Sequence, residues 1–196
     1  MVDTPLKPRQ PQGKRWLLLS LALLAVAFLI TMMQTGTLPE TRQLVKFEAK
    51  GVLKVTPDHV RRVELTIDEQ TVTFVRDSDQ RWVRSGTQHG ASDELQEHLS
   101  MAILLMHGSG PVRVMPRDEY QGTALEEFGL ERPRYAVALS DGQRLLLQAH
   151  FGGHNAQELL QYMRLTGSDD VYLMSRFVGQ AWEHIWEHVL QQTAVP

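Results

Sequence analysis

The chain has 196 residues, 42% of them hydrophobic, which suits one globular domain with a core and an additional segment. It contains no cysteine, and this excludes disulfides, thiolate metal ligands and cysteine nucleophiles. The net charge is −3, but residues 1–15 carry +3, so the remainder carries −6 and offers no broad basic surface for nucleic acid.

An uninterrupted apolar run begins at Trp16 and ends at Met33, and none of its 18 residues is charged. A helix of that length, at 1.5 Å per residue, measures roughly 27 Å, about the thickness of the hydrocarbon core of a bilayer. We therefore predict one transmembrane helix over residues 16–33, because a buried core helix would carry a polar stripe. A cleaved signal peptide is the alternative, since Ala25-Val26-Ala27 resembles a cleavage site. The apolar run continues beyond that point, which favours an uncleaved anchor.

The charges beside this run predict its orientation. A basic tail over residues 1–15 precedes it, and Glu40 is the first charged residue after it. Basic flanks stay on the cytoplasmic side of a membrane, so the rest of the chain is expected on the opposite side. For a bacterium with two membranes, this predicts a single-pass inner-membrane protein with a cytoplasmic N-terminus. A linker over residues 34–57 would lead to a periplasmic domain over residues 58–196.

Alternating polar and apolar residues predict a first hairpin. Its strands are residues 60–67 and 71–76, with a turn at residues 68–70 between them. A short third strand follows over residues 81–84. We expect its Trp82 to enter the core, because a large aromatic side chain gains most from burial.

A helix is predicted to begin after Ser92, since serine commonly caps helix N-termini. Apolar residues and one histidine then recur at helical spacing: Leu95, His98, Leu99, Ala102, Ile103 and Met106. Residues 108–111, Gly-Ser-Gly-Pro, end this helix. An extended stretch over residues 111–115 follows, and then a helical turn over residues 123–128 that ends at Gly129.

Two further hairpins and a final helix complete the pattern. Asp141-Gly142 is a strong turn signal between the strands of the second hairpin. The predicted elements are strands 135–139 and 144–150, a glycine-bearing loop 151–158, strands 159–165 and 171–174, and a helix 176–192. The sequence therefore predicts an α+β fold, in which an antiparallel sheet of successive hairpins packs with helices and one N-terminal transmembrane helix precedes it.

These elements resemble the domain of unknown function 4340 family over roughly residues 58–176. The similar residues are Trp82, Ala91-Ser92-Asp93, Phe128 to Leu139 (FGLERPRYAVAL), Tyr162-Met163-Arg164 and Asp170 to Met174 (DVYLM). Members of this family are bacterial and usually follow an amino-terminal membrane segment. The resemblance therefore implies an extracytoplasmic interaction module, and it implies no catalytic residues.

One motif in the final helix raises the question of zinc chemistry. His184, Glu187 and His188 have the H-x-x-E-H spacing of inverzincin peptidases, in which the histidines bind zinc and the glutamate acts as a base. Only eight residues follow His188, and none is acidic, so the usual downstream ligand is missing. The polar face of any amphipathic helix has the same spacing. We therefore predict no metal, cofactor or catalytic residue; the alternative is a zinc site completed by Glu183 or by a partner chain.

The other side of the same helix is apolar. Trp182, Ile185 and Trp186 lie on it together. Such an aromatic stripe belongs either to the core or to a docking surface. We name these three residues as candidate interaction residues, with the outcome depending on whether the sheet covers them.

A second histidine pair, His150 and His154, occurs in the sequence HFGGH. The pair falls at the predicted loop 151–158, where a spacing of four residues has no helical meaning. We expect Gly152 and Gly153 to serve turn geometry there.

Two functions follow as hypotheses. The first is a non-enzymatic, single-pass accessory or assembly subunit, whose periplasmic domain docks on a larger inner-membrane protein complex while residues 16–33 hold it in the bilayer. A tether of this kind raises the effective concentration near a membrane partner. The alternative is a zinc-dependent hydrolase that uses the H-x-x-E-H stretch.

Overall fold

The computed structural model describes residues 12–35, 49–86 and 91–194. Contacts divide the chain into two units, Met1–Glu48 and Ala49–Pro196. In the first unit, a single helix, α1, is described over Gln12–Thr35. The described side chains of α1, residues 16–32, are all exposed. Among the described residues, no helix combines the length and apolar character that crossing a membrane demands.

The second unit is built on an antiparallel sheet. Its described elements are β1 (Arg62–Ile67), β2 (Gln70–Arg76), β3 (Trp82–Arg84), α2 (Asp93–Gly108), β4 (Arg113–Met115), β5 (Tyr135–Ser140), β6 (Leu145–His154), β7 (Leu160–Leu165), β8 (Val171–Ser175) and α3 (Arg176–Ala194). Short 3-10 turns are found at Pro57–His59 and Leu125–Phe128. The eight described strands pair in the order β3-β2-β1-β5-β6-β7-β8-β4. The predicted α+β class and antiparallel sheet are confirmed.

The main core lies between one face of the sheet and the two helices α2 and α3, which pack on each other. Alternate strand residues such as Val63 and Leu65 on β1 are fully buried there, as the period of two requires. The buried face of α2 consists of Leu95, Leu99, Ala102, Ile103 and Met106. The predicted cap is present, because the Ser92 side chain accepts a hydrogen bond from the Leu95 N–H.

A smaller apolar cluster covers part of the opposite face of the sheet. It contains Tyr120, Phe128, Leu130 and Val171, with Tyr162 packed against it. Successive strand residues point to opposite faces, and the next residue after Val171, Tyr172, contacts the main core instead. The segment between β4 and β5 therefore folds back over the β7–β8 side of the sheet.

Residues that the sequence assigned to the linker belong to the second unit. Val52 and Leu53 are buried in the main core. The Gly51 N–H donates to the His107 carbonyl at 2.9 Å, and the Leu53 N–H donates to the Met106 carbonyl at 2.9 Å. These two bonds satisfy carbonyl groups in the last turn of α2, where a helix has no partners of its own. The second unit therefore begins at residue 49 instead of residue 58.

The prediction of a loop over residues 151–158 is wrong in its first half. Strand β6 continues to His154, and its register with β7 shifts between Phe151 and His154. The glycines in this stretch have no left-handed backbone. A β-carbon at Gly152 would lie 2.3 Å from the Phe128 carbonyl oxygen, so the glycine allows a close backbone approach and does not form a turn. Gly152, which the sequence predicts as a turn former, is therefore a packing residue.

The turn between β1 and β2 is strained at two non-glycine residues. Asp68 has φ of 47° and Glu69 has φ of 66°, both in the left-handed region that side chains disfavour. We expect Glu69→Gly to raise the free energy of unfolding by about 0.5–1 kcal/mol, because glycine adopts this conformation without strain. Urea unfolding measures the change. Glu97→Gly, at an exposed position inside α2, is the control. It is expected to lower the free energy of unfolding by about 1 kcal/mol. A loss of stability in Glu69→Gly would contradict the argument.

Candidate functional site

The apolar stripe of α3 is mostly core. Trp182 and Ile185 have no exposed surface, and both lie in the main cluster under the sheet. Trp186 is partly buried and packs against the same cluster. Burial removes Trp182 and Ile185 from any docking surface of the folded domain. Trp186 is the one member of the predicted interaction set that solvent still reaches.

The polar side of α3 divides into two separate sets of side chains. His184 and His188 turn toward α2, where their ring centroids lie 6.3 Å and 5.3 Å from that of His98. The His188 Nε2 atom is also 3.0 Å from a carboxylate oxygen of Glu94. These contacts join α2 to α3 through polar groups along the solvent side of the core.

Glu187, the base of the H-x-x-E-H motif, lies in the other set. It lines a cavity together with Glu183 and Trp186, apart from the histidine contacts with α2. Across the ranges 49–86 and 91–194, no group of three or more histidine and acidic side chains is arranged to hold a metal ion. Because the two histidines and the glutamate face different surroundings, the geometry gives the zinc-hydrolase hypothesis no support.

The second histidine pair is in a strand, and this corrects the loop prediction. His150 lies opposite Ala136 on β5 and Arg164 on β7. Its Nε2 atom is 3.1 Å from the Thr166 hydroxyl. Partial burial, followed by the positive charge of Arg164, holds the pKa of His150 below its usual value. An imidazole that stays neutral and hydrogen-bonded in this way is part of the sheet surface.

The cavity beside Trp186 has the most distinctive chemistry in the described part of the second unit. Its volume is about 220 Å³. It lies where the β1–β2 turn, the start of β5 and one side of α3 meet, and its lining residues are Ile67, Asp68, Arg134, Tyr135, Glu183, Trp186 and Glu187. Two aromatic rings, three carboxylates and one guanidinium therefore share a small volume.

A buried polar network fixes one wall of this cavity. The Tyr135 hydroxyl donates to Gln161 Oε1 at 3.2 Å, and Gln161 Nε2 donates to the Gly152 carbonyl at 3.1 Å. The Tyr135 ring also stacks on Phe151, with centroids 4.7 Å apart. Burial, followed by the negative charge of Glu183, raises the pKa of Tyr135 well above its usual value. The phenol therefore stays neutral and its ring stays in place.

Sequence reasoning did not identify this cavity. The sequence predicts Asp68 in a turn and Tyr135 at the start of a strand, and it assigns Arg134 to no element. Their meeting with α3 depends on β1 pairing with β5 across a long stretch of sequence, which no local pattern reports. The one available signal was the presence of Glu183, Trp186 and Glu187 on neighbouring positions of one helix.

The chain has no match among family models, curated proteins or solved structures. The resemblance to the domain of unknown function 4340 family therefore stays a prediction. What the described residues define is a class of domain: α+β, with a long antiparallel sheet, two helices on one face and an acidic, aromatic cavity beside the middle of α3.

Proposed function

We propose that the protein is a non-enzymatic, single-pass membrane-anchored accessory or assembly subunit. Residues 16–33 would anchor it in a bacterial inner membrane with the N-terminus in the cytoplasm. The α+β domain would stand in the periplasm and dock on a larger membrane protein complex. The observation that carries the proposal is the apolar surface of α1 over its described side chains, residues 16–32.

The side chains of α1 support an anchor in two ways. The large apolar residues of this helix are exposed on all sides, from Trp16 at 75% to Met32 at 60%, so the surface is apolar all round. Both hydroxyl groups in the run also bond within the helix. Ser20 donates to the Trp16 carbonyl at 2.9 Å, and Thr31 donates to the Ala27 carbonyl at 2.7 Å. Lipid offers no hydrogen-bond partners, so polar groups inside a bilayer must be satisfied in this way.

The anchor predicts a specific fractionation result. The full chain is expected to stay with membranes through alkaline carbonate extraction and to float with lipid on a density gradient. The double change Leu24→Arg and Ala25→Arg puts two charges near the middle of the run. Each arginine near the helix centre makes the free energy of membrane insertion less favourable by about 2.5–3.5 kcal/mol. The double variant is therefore expected mostly in the soluble fraction.

Leu24→Ile is the matched control and should leave the protein in the membrane fraction. Protease added outside the inner membrane is expected to digest the second unit. A mature chain that begins near Phe28 and is recovered in the soluble extract would contradict the proposal in favour of the signal peptide.

Purification in a mild detergent tests docking. If the domain docks on a membrane complex, that complex is expected to be recovered in fixed proportion to the chain.

A further inference from the structure

The cavity beside Trp186 carries an excess of negative charge. Three carboxylates line it, from Asp68, Glu183 and Glu187, against the single guanidinium of Arg134. Arg134 neutralises this excess weakly, because its Nη1 atom is 3.6 Å from Glu183 Oε1 and its side chain is 63% exposed. Within the described residues, Glu183 Oε1 is buried and accepts no hydrogen bond. The three carboxylates together therefore attract a further cation, although the buried Oε1 atom itself is out of its reach.

The side chains around the cavity suit a flat cation. Trp186 is the aromatic lining residue that solvent reaches, since Tyr135 is only 2% exposed, and Ile67 adds an aliphatic side chain. A guanidinium group is planar, stacks on aromatic faces and donates paired hydrogen bonds to carboxylates. The volume of about 220 Å³ is below the range usual for drug-sized ligands, so it suits one side chain.

We propose that this cavity binds an arginine side chain of the protein's partner. The proposal rests on the proposed function, since a docking subunit has a partner, and it assigns the contact to Trp186, Glu183 and Glu187. The guanidinium lies against the Trp186 indole, and the two glutamates of α3 accept its hydrogen bonds. Charge complementarity of this kind gives specificity and speeds association.

The first experiment uses a small probe and the full chain in detergent micelles. The indole N–H resonance of Trp186, assigned by its loss in Trp186→Phe, is followed by NMR during titration with N-acetyl-arginine amide. N-acetyl-citrulline amide is the neutral analogue of nearly the same shape, and N-acetyl-lysine amide is the cation without the planar group. We expect arginine amide to shift the resonance at concentrations at least tenfold lower than citrulline amide and severalfold lower than lysine amide.

Variants of the carboxylates identify the site. Glu183→Gln and Glu187→Gln together are expected to weaken the arginine response at least tenfold, while Glu97→Gln on the exposed side of α2 leaves it unchanged. Thermal unfolding of each variant verifies that the domain remains folded. Equal responses to arginine and citrulline amides would overturn the proposal, as would an arginine response that the double variant retains. Lysine amide binding as tightly as arginine amide would overturn the assignment to a guanidinium.

A second experiment separates this inference from the proposed function. Purification in mild detergent compares the recovery of the membrane complex by the wild-type chain and by the variant with Glu183→Gln and Glu187→Gln. A severalfold lower recovery with the variant is the expected result. Full recovery with the variant would overturn the arginine contact and leave the proposed function intact. If no complex is recovered with either chain while arginine amide still binds, the proposed function fails and the cavity retains its ligand chemistry.

Discussion

Replacing Gly152 with alanine is expected to lower the free energy of unfolding by about 3 kcal/mol and the melting temperature by roughly 10 °C. A β-carbon at this position would lie 2.3 Å from the Phe128 carbonyl oxygen and 3.1 Å from the Gly129 carbonyl carbon. Both neighbours are backbone atoms, so they cannot move aside as the end of a flexible side chain would. Either β6 or the segment carrying Phe128 must shift, and Phe128 then loses its place in the smaller cluster.

Gly122→Ala is the control for this substitution. A β-carbon at Gly122 would meet no described atom within 4 Å, so the melting temperature is expected to change by less than about 2 °C. Circular dichroism during heating measures both variants. An unchanged melting temperature for Gly152→Ala would contradict the close approach between β6 and residues 128–130.

Local patterns in the sequence were sufficient for most of the sheet. The β1–β2 hairpin follows from alternation, because one face is buried and the other is solvated. The turn at Asp141-Gly142 appears where predicted, with Gly142 at φ of 95°. The sequence predicts a helical turn over residues 123–128 that ends at Gly129; the turn is found over residues 125–128, and Gly129 ends it with a left-handed backbone. Each of these features depends on a few neighbouring residues, which is why the chain alone revealed them.

Features that depend on distant residues were not predictable. The extension of β6 to His154 requires the packing of Phe128 against Gly152, and an isolated pair of glycines indicates a turn equally well. His98 has the spacing of a core position, yet it meets two histidines of a helix more than 80 residues away. The buried pair of Tyr135 and Gln161 likewise joins two strands that β6 separates. In each case the partner is set by how distant strands, helices and turns pack together, and a linear pattern does not contain that arrangement.

The division of the α3 stripe between core and surface has a direct consequence for stability. Trp182→Ala is expected to lower the free energy of unfolding by about 3–5 kcal/mol, because it removes a fully buried indole from the centre of the main cluster. Trp182→Phe is expected to cost much less. It keeps most of the ring volume and removes an Nε1 donor that is buried without a hydrogen-bond partner among the described residues.

Leu190→Ala is the matched control on the same helix, since Leu190 is 47% exposed and the substitution is expected to cost well under 1 kcal/mol. Chemical unfolding of the three variants in detergent gives the comparison, with recovery of the membrane complex measured on the same samples. A Trp182→Ala chain that unfolded like the wild type but no longer recovered the complex would place Trp182 at the docking surface. The burial of Trp182 predicts the reverse order of effects: the domain loses stability first, and partner binding is lost only as a result of unfolding.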